Sequence, residues 1–224
     1  MLRGGVGIGK SFALIRIARE LKVQGVLVVV MTATEAISGN INAFLRAILG
    51  QYYTETGSSA DTEEAVWAIM AGRPFMVNGR RVILIVGEAQ KLVGRVLEAL
   101  RGLWDRGDEA RLGLSTGPAF GCMLIGNPTF MSKGGAQRTA SFEPLLSRLT
   151  HNMRLPGPSR AECQSFAATL HDDTELAAEL AEGGLARGSL YVMATAMRSA
   201  RLLAGDGPVT PAHLRQAFKM MGGQ

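Results

Sequence analysis

Over residues 1–155 the chain alternates short apolar runs with stretches whose apolar positions recur at helical spacing. Residues 11–22 place Phe12, Ile15, Ala18 and Leu21 or Lys22 on that spacing and predict a helix. Residues 26–32 are β-branched and predict a buried strand. A second helix is expected over 40–49, then a polar loop over 53–60. Asp61 followed by Glu64 resembles a capping signal for a helix ending near Gly72. The next strand is expected at 81–86 and the next helix at 92–104. Residues 105–121 hold five glycines or prolines and predict a loop, with a strand following at 121–125. Such alternation is the signature of an α/β fold with a mostly parallel sheet.

The pattern changes after Arg154. Leu155-Pro156-Gly157-Pro158 cannot continue regular structure and predicts a linker, and only helical signals follow. Ser159 and Glu162 form a capping box, residues 170–182 and 189–203 are amphipathic, and Thr210-Pro211 opens a last helix over 212–221. Two domains are expected, an α/β core over 1–155 and a small all-α lid over 156–224.

Composition narrows the function classes. Of 224 residues, 47% are hydrophobic and 19% charged, which excludes disorder by composition. A charge of +5 and pI ≈ 9.6 favour an anionic partner such as nucleic acid or nucleotide. Two cysteines, Cys122 and Cys163, give neither a disulfide framework nor a metal spacing, and read as buried thiols of a reducing compartment. The apolar runs are strand-sized, and neither a membrane span nor a signal peptide is apparent, so a cytoplasmic protein is expected.

Glycine, at 28 residues, is about twice as common as usual, and its densest run carries chemistry. Gly4-Gly5-Val6-Gly7-Ile8-Gly9-Lys10-Ser11 matches G-x-x-x-x-G-K-[ST] in full, with Phe12 behind it on the helix. Glycines let backbone N–H groups curl around phosphate oxygens, and the following helix points its positive end at them. Lys10 would reach the β- and γ-phosphates of ATP, and the Ser11 hydroxyl would take one Mg²⁺ position. A nucleotide hydrolase also needs an acid at the end of a hydrophobic strand, and residues 82–86 end in Gly87-Glu88. Glu88 sits where a carboxylate can polarise water, whereas Gly87 offers neither charge nor acceptor where an Asp normally holds the Mg²⁺ water shell. Asn127, at the end of the next strand, could orient water or simply form a turn. Arg148, expected on a short helix, could be a finger reaching a neighbour's nucleotide or a solvated charge.

In this order the motifs resemble those of AAA+ ATPases, most closely the transposition ATPases of the phage Mu B-protein kind. The resembling stretches are Gly4 to Ser11, Gly87-Glu88-Ala89-Gln90-Lys91-Leu92, Leu124-Ile125-Gly126-Asn127, residues 132–139 and 142–149, Gly188-Ser189-Leu190 and Leu214-Arg215-Gln216-Ala217-Phe218. The resemblance implies an ATP-dependent, non-sequence-specific binder of duplex DNA that assembles into oligomers or filaments and delivers target DNA to a transposase. It makes Glu88 the catalytic carboxylate, Asn127 a sensor and Arg148 a finger across a subunit interface.

The chain departs from the family at three places. Gly87 replaces the strand-end Asp, which leaves ATP turnover open and admits a nucleotide-binding scaffold that hardly hydrolyses. Tyr191 stands where the family carries an arginine, unless Arg198 or Arg201 substitutes. Almost nothing precedes the phosphate loop where the family has a helical DNA-binding region and a first strand, so a truncated strand and unpaired ladder bonds are expected. A helicase-loader or clamp-loader-like remodeller is the other reading. For DNA phosphates the candidates are Arg73, Arg80, Arg81, Lys133 and Arg138, whose contacts would be sequence-blind.

Overall fold

A computed structural model describes residues 1–50, 59–71, 81–109, 120–128 and 147–222. Its contacts divide the chain into two compact units. One comprises Met1–Arg3 and Ser11–Arg154, the other Gly4–Lys10 and Leu155–Gln224.

The first unit is built on a parallel sheet of order β2-β3-β4-β1-β5, formed by β1 (Leu2–Arg3), β2 (Leu27–Thr32), β3 (Val82–Gly87), β4 (Gly121–Gly126) and β5 (Met153–Arg154). Helix α1 (Lys10–Val23) covers one face. The other is covered by α3 (Ile41–Leu49), α4 (Ser59–Met70) and α5 (Gly94–Glu109), with the short α2 (Glu35–Ser38) after β2. The two-residue period of a strand assigns each side chain to a layer. Val28, Ile85 and Ile125 pack with Ala18 of α1. Val29, Leu84, Val86 and Leu124 pack with Phe44, Ile48, Trp67, Leu97 and Leu100. Both faces are buried, which is why these strands read as unbroken apolar runs.

Several expectations need correction. The first strand, two residues long, is not left unpaired as expected: Leu2 and Arg3 pair with Ile125 and Gly126 on one side and with Met153 and Arg154 on the other. Two residues suffice because β4 and β5 hold them from both sides, and neither β1 nor β5 is long enough to leave a periodic signal. Asp61 is not a cap but lies in the first turn of α4, which starts at Ser59. The predicted loop from residue 105 is helix as far as Glu109, because α5 stays anchored through Leu103 and the Arg101–Asp105 ion pair. Arg148 lies in a turn rather than a helix. No described helix is long and apolar enough to cross a membrane.

The second unit holds α6 (Arg160–Leu170), α7 (Thr174–Arg187), α8 (Leu190–Ala204) and α9 (Pro211–Met220) around Cys163, Ala167, Leu180, Met193, Met197, Leu214 and Phe218. Every one of these helices has a side-chain N-cap: Ser159, Asp173, Ser189 and Thr210. The amphipathic stretch expected over 170–182 is broken, because Leu170 ends α6 and Asp173 accepts from the N–H groups of Glu175 and Leu176 to start α7.

Candidate functional site

The phosphate-loop sequence becomes a strand–loop–helix element. β1 ends at Arg3, the loop spans the following residues, and α1 begins at Lys10. Gly7 and Gly9 take φ values of 76° and 91°, a region that disfavours side chains. The Lys10 ammonium folds into the loop, donating to the Gly4 carbonyl at 2.9 Å and to that of Gly5. The loop therefore supplies what an anion needs: a cation aimed inward, glycine backbone and a helix N-terminus. Val6 is exposed, Ile8 half-buried, and Ser11 and Phe12 both point to solvent at the start of α1.

Within the second unit the loop meets the start of α8. The Tyr191 backbone N–H donates to the Gly7 carbonyl at 3.0 Å. A side chain at Gly7 would collide with the Ser189 hydroxyl. Tyr191 thus touches the loop through its main chain, while its ring is exposed. Arg198 is exposed and Arg201 donates to the Leu170 carbonyl at 2.8 Å, closing the end of α6.

The acid and its neighbours stand at the carboxyl edge of the sheet. Glu88 follows β3 in a left-handed conformation, φ 54° and ψ 33°, the one described non-glycine residue with positive φ. That conformation costs about 1–2 kcal/mol, and strain of this kind gathers at functional sites. A short 3₁₀ turn over Ala89–Lys91 holds it, with Lys91 donating back to the Glu88 carbonyl at 2.9 Å. Asn127 leaves β4 on the neighbouring strand, and its N–H donates to Gln90 Oε1 at 3.2 Å. Gln90 Nε2 in turn donates to Glu88 Oε2 at 2.6 Å. Sequence reading did not single out Gln90; its role depends on the register of β3 against β4, which no local pattern carries.

Gly87 pairs with Thr32 across the sheet. A β-carbon there would sit 3.5 Å from Thr32 Oγ1 and 3.7 Å from the Met31 carbonyl, which is ordinary contact. A β-carbon at this position is thus not excluded by space. The cation donors that the motifs supply reduce to Ser11 and Glu88, and no cluster of three or more His, Cys, Asp or Glu is present among the described residues.

Arg148 makes a two-pronged ion pair with Asp105, Nε to Oδ1 at 2.5 Å and Nη2 to Oδ2 at 3.0 Å, and Asp105 also pairs with Arg101. A reach toward a neighbour's nucleotide requires this pair to open. Of the DNA candidates, Arg81 is exposed just before β3, whereas Arg73, Arg80, Lys133 and Arg138 lie outside the described residues. Burial pushes the Cys122 thiol up to about 12 and raises that of Cys163, which disfavours the thiolate at both.

A profile of the AAA domain family matches residues 1–130. Among solved structures the chain is similar to the Aeropyrum pernix ORC2 protein in its ADP form and in its ADPNP–ADP complexes. Both matches have a TM-score of 0.65 and 18% identity, and cover 98% of this chain and 61% of that one. It is also similar to Drosophila ORC bound to DNA, with a TM-score of 0.59, 18% identity, and 99% and 55% covered. The chain therefore spans about three fifths of the length of these relatives. No curated protein matches it.

Proposed function

The chain belongs to the AAA domain family, and from that premise we propose that it is an ATP-dependent, non-sequence-specific DNA-binding protein of DNA transposition. In this reading it assembles on target duplex DNA and delivers it to a transposase. The observation that carries the proposal is the phosphate loop, with Gly7 and Gly9 left-handed and the Lys10 ammonium turned onto the loop carbonyls. A triphosphate would take the ammonium over from those carbonyls. Ser11 and Glu88 would hold Mg²⁺ or its water shell, and the ion would supply charge neutralisation for the phosphates. Glu88 orients the attacking water and Asn127 stands beside it. The +5 charge supports a polyanionic partner. The similar structures include nucleotide-bound and DNA-bound proteins, and the ordered motif series favours the transposition branch of the family.

The test is equilibrium binding of labelled ATP, with duplex-DNA anisotropy measured with and without ATP. Lys10→Ala should weaken ATP binding about 10–100-fold, as loss of a charge-assisted contact to phosphate does. DNA affinity should require ATP, ignore sequence and fall steeply with salt. DNA binding indifferent to ATP would sink the proposal. Electron microscopy with ATP and DNA should show filaments; discrete closed rings would favour a loader-like remodeller instead.

Gly87 favours a second reading, a scaffold that binds ATP and assembles but hardly hydrolyses. Phosphate release by the parent chain and by Gly87→Asp, whose β-carbon would make only ordinary contacts, decides it. Equal turnover by the two excludes the scaffold.

A further inference from the structure

Gln90 uses both ends of its amide. The nitrogen donates to the Glu88 carboxylate and the oxygen accepts from the Asn127 backbone N–H. The amide can face only one way, because a carboxylate needs a donor and an N–H needs an acceptor. Its own position is fixed by the turn it stands on: Ala89 is buried, Lys91 donates to Glu88 O, and Leu92 donates to Ala89 O at 3.1 Å. The acid it grips is exposed, where a glutamate would otherwise sample several rotamers.

We infer that Gln90 is a positioning residue for ATP hydrolysis, holding the Glu88 carboxylate in one rotamer and tying it to the end of β4. One side chain then sets the spacing between the acid and Asn127, so a shift of Asn127 is passed to the carboxylate. This rests on the ATPase reading above. Gln90 has no part in gripping the nucleotide; the phosphate loop does that.

Two variants separate the two ends of the amide. Gln90→Leu removes both contacts at similar volume. Gln90→Glu keeps an acceptor for Asn127 but removes the donor and sets a like charge beside Glu88. Turnover with DNA, ATP affinity and hydrogen exchange of the Asn127 amide are measured for each. Both variants should lose about 10–100-fold in kcat, with ATP affinity held within about twofold. The Asn127 amide should exchange faster in Gln90→Leu and stay protected in Gln90→Glu. An unchanged kcat, an affinity loss matching the kcat loss, or unchanged Asn127 protection in Gln90→Leu overturns the inference. A parent chain that binds ATP through Lys10 yet releases no phosphate sinks the turnover reading, not this one; the same series is then run in Gly87→Asp. Absence of turnover in both backgrounds overturns the positioning role as well.

Discussion

The α/β unit and the helical unit are stabilised in different ways, and the difference explains how Glu88 and Asn127 come together. In the helical unit each helix carries its own cap within a few residues: Ser159 with Glu162, Asp173, Ser189, and Thr210 with His213. Its core is rich in alanine and methionine, with Gly184 lying directly against Met193. In the α/β unit the ordering contacts are long-range. β2 pairs with β3, β3 with β4, and β4 with a two-residue β1, each partner distant in sequence. Parallel strands all end at one edge, so residues from separate strands, Glu88 and Asn127 among them, are brought together there. Locally capped helices cannot gather residues in this way.

The largest expected effect tests the cores. Leu84, fully buried at the middle of β3, should cost about 4 kcal/mol on truncation to alanine. Leu180→Ala in the helical unit should cost nearer 3 kcal/mol, since Met193 and Met197 are flexible enough to fill part of the space. Denaturant unfolding measures both, and equal losses would remove the distinction between a stiff core and an adaptable one. Next comes Gly7→Ala, which puts a side chain at φ 76° against Ser189 and should cost about 1–3 kcal/mol together with ATP binding. Normal ATP affinity in that variant would show that the loop does not need its left-handed turn. Thr210→Ala should cost about 1 kcal/mol, read as a lower melting temperature.

The smallest effect is a pH dependence. The hydrogen bonds from the Ser159 backbone and hydroxyl hold the Glu162 carboxyl below its usual pKa. A depressed folded-state pKa means that the contribution is complete above the ordinary glutamate value and fades as pH falls through the lowered one. Ser159→Ala should narrow the stability gap between neutral and acid pH; an unchanged acid limb in thermal melts would contradict this.

The helical unit was largely legible because caps are local. Ser159-x-x-Glu162 and Thr210-Pro211 mark helix starts without reference to anything else, and both starts stand where the sequence put them. The cap at Asp173 sets the start of α7 at Thr174, inside the amphipathic stretch expected over 170–182. In the α/β unit the apolar runs disclosed β2, β3 and β4, β1 was expected only as a truncated strand, and β5 was not foreseen, because two residues have no periodicity. Asp61 misled for a related reason: an acid in the first turn and an acid at the cap look alike in a sequence.

The sequence by itself determined the glycine-rich loop ahead of α1, the strand-end acid with glycine before it, and the helix starts at Ser159 and Thr210, because each is specified by residues within a few positions of one another. Tertiary structure alone decided the strand order β2-β3-β4-β1-β5, the contact of Gln90 with Asn127, and the engagement of Arg148 by Asp105. Those contacts join residues separated by tens of positions, and only pairing register and packing bring such residues within hydrogen-bonding reach.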